Sequence, residues 1–339
     1  ILPGFVDIHC HGGGGHSFTT GDPDAAVGAA EFHLTHGTTS VVASLVTSPY
    51  EQMREATAAL APLVDKGLLA GIHYEGPYLS AVRCGAQNPQ FLRDPALDEL
   101  TELLDLGGGA VRMVTLAPER PGALDAIRLL ASRKVVAAIG HTDATYDQTQ
   151  RAIEAGATVG THLFNGMRSP HHREPGPVFA LLNSPNVVCE LIADGIHLHP
   201  GTLAFATSVT GPDRTALVTD AMAAAGMADG EYELGGQAVV VTDRVARLAV
   251  DGAAGDAAAD AEPGAIAGST LTMDAALRQV VAAGVSVPDA ARMAATTPAR
   301  ALGLDDRVGA LSAGWRADLV VLNDNLEVVR VMRAGTWVE

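Results

Sequence analysis

The residues of this chain that could do chemistry begin in its first strand, Gly4-Phe-Val-Asp-Ile-His-Cys-His-Gly12. Phe5, Val6 and Ile8 make the stretch apolar enough to be buried, and His9 and His11, two positions apart, leave an extended chain on the same side. Two imidazoles projecting together from a strand end, with glycines from Gly12 to Gly15 just beyond, suit a metal ion better than a hydrophobic core. Further candidates recur downstream, each just after a short apolar run: His73-Tyr-Glu75, Gly140-His141, Thr161-His162-Leu-Phe-Asn165, Asp194-Gly-Ile-His197 and Val218-Thr-Asp220. Imidazole and carboxylate donors bind Zn²⁺ and Fe²⁺. A bound divalent ion lowers the pKa of its water and polarises a carbonyl oxygen. Asp220 is then placed to take the water's proton and pass it to a leaving group. The chemistry that fits the set is hydrolysis. There is no Gly-x-Ser-x-Gly, and no cysteine makes a convincing nucleophile: Cys10 faces away between the two histidines, Cys189 sits inside a strand, and Cys84 is a loop thiol after Glu75 that could approach the site.

The elements that must position these residues follow one rhythm. Apolar runs at 5–9, 39–46, 68–74, 110–117, 135–140, 158–163, 187–193 and 215–219 alternate with helical stretches. Several of those stretches open on helix-start signals: Asp22-Pro23, Ser48-Pro49, Asp94-Pro95, Pro121 and Thr145. Alternation of this kind predicts parallel β in βαβ units, and eight units over roughly 220 residues match a (β/α)₈ TIM-type barrel, an α/β fold. An open doubly wound sheet is the alternative, but the chain lacks a Gly-x-Gly-x-x-Gly turn. In a barrel the carboxyl strand ends share one face, so the candidates above would converge there. The barrel is expected to span 1–305, with a β-hairpin inserted near 230–250, a loose loop at 251–263 and helices at 272–284 and 288–303. Residues 306–339 read as the C-terminal strands of a small β-sandwich, 318–322 and 328–332 among them. The chain opens Ile1-Leu-Pro-Gly4 with neither Met nor a charged leader, so the remaining sandwich strands are expected from residues before Ile1.

Composition sets the outer bounds. At 339 residues, 47% hydrophobic and 18% charged, the chain is long enough for one large domain and an appendage, and no apolar run reaches the roughly 18 residues that would span a membrane. Three cysteines point to a reducing cytosol rather than a disulfide framework. A formal net charge of −17 disfavours a nucleic-acid partner, and an anionic substrate would have to be held by a few local cations. Lysines occur only at 66 and 134, so those cations are arginines or histidines.

The first strand, His141, His162, Asp220 and the tail Gly309-Ala-Leu-Ser-Ala-Gly-Trp-Arg-Ala-Asp-Leu-Val-Val-Leu322 together resemble the amidohydrolase superfamily. Members such as dihydroorotase and urease bridge two metals with a carboxylated lysine at the end of strand four, and this chain has no lysine there. Instead His73-Tyr-Glu-Gly-Pro-Tyr78 supplies the carboxylate of Glu75. That exchange, with His162-Leu-Phe-Asn-Gly-Met167, Arg173-Glu-Pro-Gly176, Asp194-Gly-Ile-His197, Leu217-Val-Thr-Asp-Ala221 and Ala267-Gly-Ser-Thr-Leu-Thr-Met273, resembles the N-acetylglucosamine-6-phosphate deacetylase family over nearly the whole chain.

The resemblance implies hydrolysis of a phosphosugar acetamide, at one or two divalent metals, in a homodimer. It implies Glu75, His141 and His162 as the principal metal ligands and His9 and His11 as ligands of a second metal. Asp220 would be acid/base and ligand in one. Asn165, Gly166, Arg173 and His197 would hold the sugar phosphate, with Arg173 reaching across the dimer, and Ile266, Ala267 and Gly268 would lie against the sugar. Some members carry a histidine in the loop after Glu-Gly-Pro. Here it reads Gly85-Ala-Gln87-Asn-Pro89, and Gln87 donates hydrogen bonds without charge. Two rival functions are another amidohydrolase, such as an N-acyl-amino-acid deacylase or cyclic amidase, and an inactive sugar-binding barrel. The missing lysine and the phosphate contacts disfavour the first, the complete ligand set the second.

Overall fold

The computed structural model describes residues 1–249 and 264–338, so the expected loose loop at 251–263 lies outside the described residues. Eight parallel strands form one sheet: β1 (Phe5–Cys10), β2 (Thr38–Val46), β3 (Gly71–Glu75), β4 (Val111–Leu116), β5 (Val136–Ile139), β6 (Val159–Gly160), β7 (Val188–Ile192) and β8 (Thr215–Val218), each beside its sequence neighbour. The sheet returns on itself beyond β8, where the Asp220 amide donates to the His9 carbonyl at 2.9 Å and the His11 amide to the Ala221 carbonyl at 2.8 Å. This is the expected barrel, with helices outside it: α1 (Pro23–Thr35), α2 (Tyr50–Asp65), α3 (Leu97–Leu106), α4 (Ala123–Ser132), α5 (Tyr146–Ala155), α6 (Gly176–Asn183), α7 (Pro200–Thr210) and α8 (Met273–Ala282). No helix among the described residues is long and apolar enough to cross a membrane.

Two of the five start signals cap their helices, whereas α2, α3 and α4 open on Pro49, Ala96 and Gly122 with no side-chain cap. Asp22 caps α1 by accepting from the Asp24 amide, with Pro23 in the first turn. Thr145 and Gln148 close a capping box on α5. Buried faces such as Leu100, Leu103 and Leu104 of α3 seat the helices on strands that are buried from both sides.

Three features differ from the expected elements. β6 spans two residues rather than six, because the chain turns out of the ladder at His162 (φ +27°) and Phe164 (φ +80°). The insertion near 230–250 is a three-stranded antiparallel sheet, β9 (Gly230–Leu234), β10 (Gln237–Thr242) and β11 (Val245–Leu248), not a hairpin. The last helix carries a π turn, Arg292–Thr296, between Val287–Ala291 and Thr297–Ala301. In the tail, β12 (Leu319–Leu322), β13 (Val328–Arg333) and β14 (Thr336–Trp337) form an antiparallel sheet whose fourth strand is Leu2–Pro3, paired with β12. Arg316 donates to the Thr39 carbonyl and the Ser40 hydroxyl, and Arg333 to the carbonyls of Gly67 and Leu68, fastening this sheet to the barrel.

Candidate active site

Every candidate metal ligand sits at the carboxyl end of a barrel strand, and all six are buried. His9 and His11 leave β1, Glu75 ends β3, His141 follows β5, His162 follows β6 and Asp220 follows β8. Their ligand atoms fall into two groups, His9–His11–Asp220 and Glu75–His141–His162, each with atoms within 4.8 Å of one another. Glu75 reaches both groups. Its Oε1 lies 3.0 Å from the Nε2 atoms of His141 and His162, and its Oε2 lies 3.1 Å from His11 Nε2. Three of these residues hold left-handed backbone: His141 (φ +46°), His162 (φ +27°) and Asp220 (φ +50°). For residues with a Cβ that is strained, and strain of this kind concentrates where a side chain must be aimed.

The fit to a metal is decided by the ring nitrogens. The Nδ1 atoms of His11, His141 and His162 lie 3.0, 2.9 and 3.1 Å from the backbone carbonyls of Ser44, Arg83 and Asn165. A carbonyl only accepts, so each Nδ1 carries the hydrogen and a neutral ring turns an Nε2 lone pair inward. His9 Nδ1 does the same toward the Glu190 carboxylate at 3.0 Å. The inward Nε2 atoms then face each other, His9 to His11 at 3.3 Å and His141 to His162 at 3.1 Å. Facing lone pairs repel unless a cation lies between them. Four imidazoles and two carboxylates so arranged are a first-row divalent metal's donor set.

With no cation between them, the two carboxylates draw protons onto the same imidazoles, which is the same demand for positive charge. Burial by itself would lower the pKa of His11, but hydrogen bonding to Asp220 and Glu75 lifts it to about 9. His9 and His141 are raised likewise against their burial, with Glu75 the leading cause in each. Burial would raise Glu75 and Asp220, yet the imidazoles around them hold both below the usual carboxylate range.

A cleft of about 240 Å³ opens over the two groups. Of the residues that the resemblance implies for substrate, Gln87, Asn165, Gly166, His197, Ile266 and Gly268 line it. His197 is held by Asp194, whose Oδ2 lies 2.6 Å from its Nδ1; that contact raises the imidazole pKa against the effect of burial. Gly166 has φ +60° and packs so tightly on His141 that a Cβ would lie 2.9 Å from its Nδ1. Gln87 accepts from the Thr47 amide at 2.7 Å and donates to Glu75 Oε2 at 2.5 Å, so its amide is committed to orienting a ligand.

Three predicted residues stand apart. Ala267 is fully buried against Val46, Leu234 and Met222, behind the cleft wall. Cys84 is half-buried and outside the lining, and burial pushes its thiol pKa up. Arg173 is exposed, its guanidinium 2.8 Å from His172 Nε2 rather than on Glu174, and it does not reach this chain's own cleft. The sequence reading missed Leu234 of β9, Ala265, Gly85 and Ala86 in the lining, and Glu190 beneath it. Glu190 carried a usable signal, a single acid inside the apolar run Val188-Cys-Glu-Leu-Ile192. Leu234 carried none, since only the packing of the β9–β11 sheet brings it there.

Comparison with known proteins agrees with this geometry. A model of the amidohydrolase family matches residues 1–338. The structure of a mutant N-acetyl-D-glucosamine-6-phosphate deacetylase from Mycobacterium smegmatis, in complex with N-acetyl-D-glucosamine-6-phosphate, matches with a TM-score of 0.92 and 50% identity over 99% of this chain and 86% of that one. An N-acetylglucosamine-6-phosphate deacetylase from Lysinibacillus sphaericus is 36% identical over 99% of this chain and 84% of its own length. An N-acetylgalactosamine-6-phosphate deacetylase from Escherichia coli O157:H7 is 37% identical over 99% of this chain and 86% of its own length. The chain therefore belongs to the amidohydrolase family, in the group of these hexosamine-6-phosphate deacetylases.

Proposed function

We propose that this chain hydrolyses the acetamide of N-acetylglucosamine 6-phosphate, releasing acetate and glucosamine 6-phosphate. The observation that carries the reading is the convergence of two metal-ligand groups, Asp220 and His197 on one cleft of a chain belonging to this group. His9, His11 and Asp220 would hold one divalent ion, Zn²⁺ or Fe²⁺, and Glu75, His141 and His162 another. Such ions supply Lewis acidity that lowers the pKa of water and polarises a carbonyl. Asp220 presents its carboxylate beside His9 and His11 at the floor of the cleft, where it would accept the attacking water's proton and deliver it to the departing amine nitrogen. Asn165, Gly166, Ile266 and Gly268 line the cleft and would lie against the sugar. His197, its Nδ1 held by Asp194 and its pKa raised by that contact, would donate from Nε2 to the phosphate as the protonated imidazolium.

Arg173 fits best as a phosphate ligand for a neighbouring subunit. Its loop leads into α6, and Phe179 of α6 and Phe205 of α7 are 42% and 48% exposed, apolar surface that a second copy would cover. We therefore read the active form as a homodimer. The three free thiols, Cys10, Cys84 and Cys189, support a cytosolic setting.

The galacto-named relative warrants one further comparison, since the two sugars are epimers at a single hydroxyl. Acetate release should be measured on N-acetylglucosamine 6-phosphate, N-acetylgalactosamine 6-phosphate, unphosphorylated N-acetylglucosamine and an N-acetylated amino acid. The gluco phosphate should be turned over fastest, and activity should vanish on chelation and return with Zn²⁺ or Fe²⁺. Faster release from the galacto epimer would move the substrate assignment. Preference for the amino acid would overturn it.

A further inference from the structure

The barrel interior beneath the cleft holds a carboxylate that the hydrolysis above does not use. Glu190 stands in the middle of β7 and is fully buried. Its Oε2 accepts from His9 Nδ1 at 3.0 Å and from the His162 amide at 3.1 Å, and its backbone carbonyl accepts the Leu163 amide at 2.8 Å. Its Oε1 has no hydrogen-bond partner. A buried carboxylate with one oxygen unmatched costs stability, and a hydrophobic residue would fill this layer at lower cost. What Glu190 gives in return must lie in what it holds.

His9 differs from the other three imidazoles in one respect. The Nδ1 atoms of His11, His141 and His162 meet backbone carbonyls, which no side-chain change removes. His9 alone is oriented by a side chain. Nothing beside it can take over. The nearest ring is His73, 4.7 Å away centre to centre, and both its nitrogens are engaged, with the Ser44 hydroxyl at 2.9 Å and the Thr115 hydroxyl at 2.8 Å.

We propose that Glu190 is a positioning residue for the metal group of His9, His11 and Asp220, fixing the hydrogen of His9 on Nδ1 and its Nε2 lone pair in the cleft. The inference rests on the two-metal reading given above. Loss of the carboxylate frees the His9 ring, whereas His162 keeps its Nδ1 contact and the Leu163 amide bond that follows it. The group of His9 should therefore weaken and the group of Glu75, His141 and His162 should not. Contacts of this kind change metal affinity by about 10–100-fold.

The test titrates metal-free wild type, Glu190→Ala and Glu190→Gln with Zn²⁺ against a chromogenic chelator, and records the melting temperature of each metal-free protein. Wild type should take up two equivalents. Glu190→Ala should keep one at wild-type affinity and bind the second about 10–100-fold more weakly, with no fall in metal-free melting temperature. Glu190→Gln, whose amide oxygen still accepts from Nδ1, should lose several-fold at the same equivalent. Unchanged affinities in Glu190→Ala overturn the proposal, as does an equal loss of both equivalents with a lowered melting temperature, which marks a structural role. If Glu190→Ala does not fold, Glu190→Gln decides by the same criteria. A single equivalent in wild type overturns the two-metal reading and this proposal with it. Two equivalents in wild type with unchanged variants overturn this proposal alone.

Discussion

Asp220 combines a left-handed backbone (φ +50°) with a carboxylate crowded by two imidazoles, its Oδ1 3.2 Å from His11 Nε2 and 3.5 Å from His9 Nε2. If it is the proton shuttle, Asp220→Asn should fold normally and keep KM within a few-fold while kcat falls by about 10² or more, as for other positioned acid/base groups. A variant within a few-fold of wild type in kcat would remove the assignment. Gln87 illustrates what residue types reveal and what they hide. Its place after Glu-Gly-Pro marked it as close to the chemistry, but only the fold pins its amide between the Thr47 amide and Glu75. Gln87→Ala should therefore weaken metal retention along with turnover, which a dialysis series read by metal content would reveal. The six candidate ligands were legible because each is a polar residue stranded at the end of an apolar run. Arg173 was legible by resemblance only, and its distance from the cleft depends on the packing of a loop that no local pattern encodes.

Among the elements, the strands that alternate with helices read plainly, since both faces of each are buried and the sequence must be apolar throughout. β6 was overextended in the reading because the run from Thr158 to Leu163 has the look of a strand, while positive φ at His162 and Phe164 takes the chain out of the ladder. The attachment of α1 to β1 has a consequence for pH. His33 of α1 is fully buried, its Nε2 donating to the Gly12 carbonyl at 2.9 Å, with Cys10 Sγ also near and its Nδ1 unpartnered. Burial is the largest cause lowering its pKa, to about 4, with nearby His36 adding to it and Asp274 and the Gly12 carbonyl opposing. The folded chain thus refuses a proton that the unfolded chain accepts below about 6.5. The contribution is fully present above that pH and is lost as pH falls from about 6.5 toward about 4, by an amount on the order of 2–3 kcal/mol. Urea unfolding of metal-free protein at pH 7 and pH 4.5 should show this loss in wild type and a smaller one in His33→Gln. Equal losses would assign the acid sensitivity to other groups.

At the scale of the whole molecule, the acidic balance and the proposed pairing of subunits make one prediction together. With a net charge of −17 the field does not favour a phosphate, so one well-placed arginine should matter. Arg173→Ala should lower kcat/KM for the 6-phosphate by roughly 2–4 kcal/mol and leave the unphosphorylated sugar nearly unchanged. If the residue acts across an interface, mixing Arg173→Ala with Asp220→Asn subunits should restore up to about a quarter of wild-type activity, because half of the randomly paired dimers carry one intact site. No recovery on mixing would place Arg173 in its own subunit. The seam of the barrel carries a different lesson. β8 and β1 meet through the Asp220 amide on the His9 carbonyl, the His11 amide on the Ala221 carbonyl, and Thr219 on Asp7, partners 212 residues apart in sequence. A contact closing so long a loop costs much chain entropy and is expected late in folding. The residues that sew this seam are the candidate metal ligands themselves or their neighbours. A cation that grips His9, His11 and Asp220 therefore also holds the cylinder shut, so the amide protons of His11, Gly12 and Asp220 should exchange with deuterium more slowly when Zn²⁺ is added, while those of β4, on the far side, should change least.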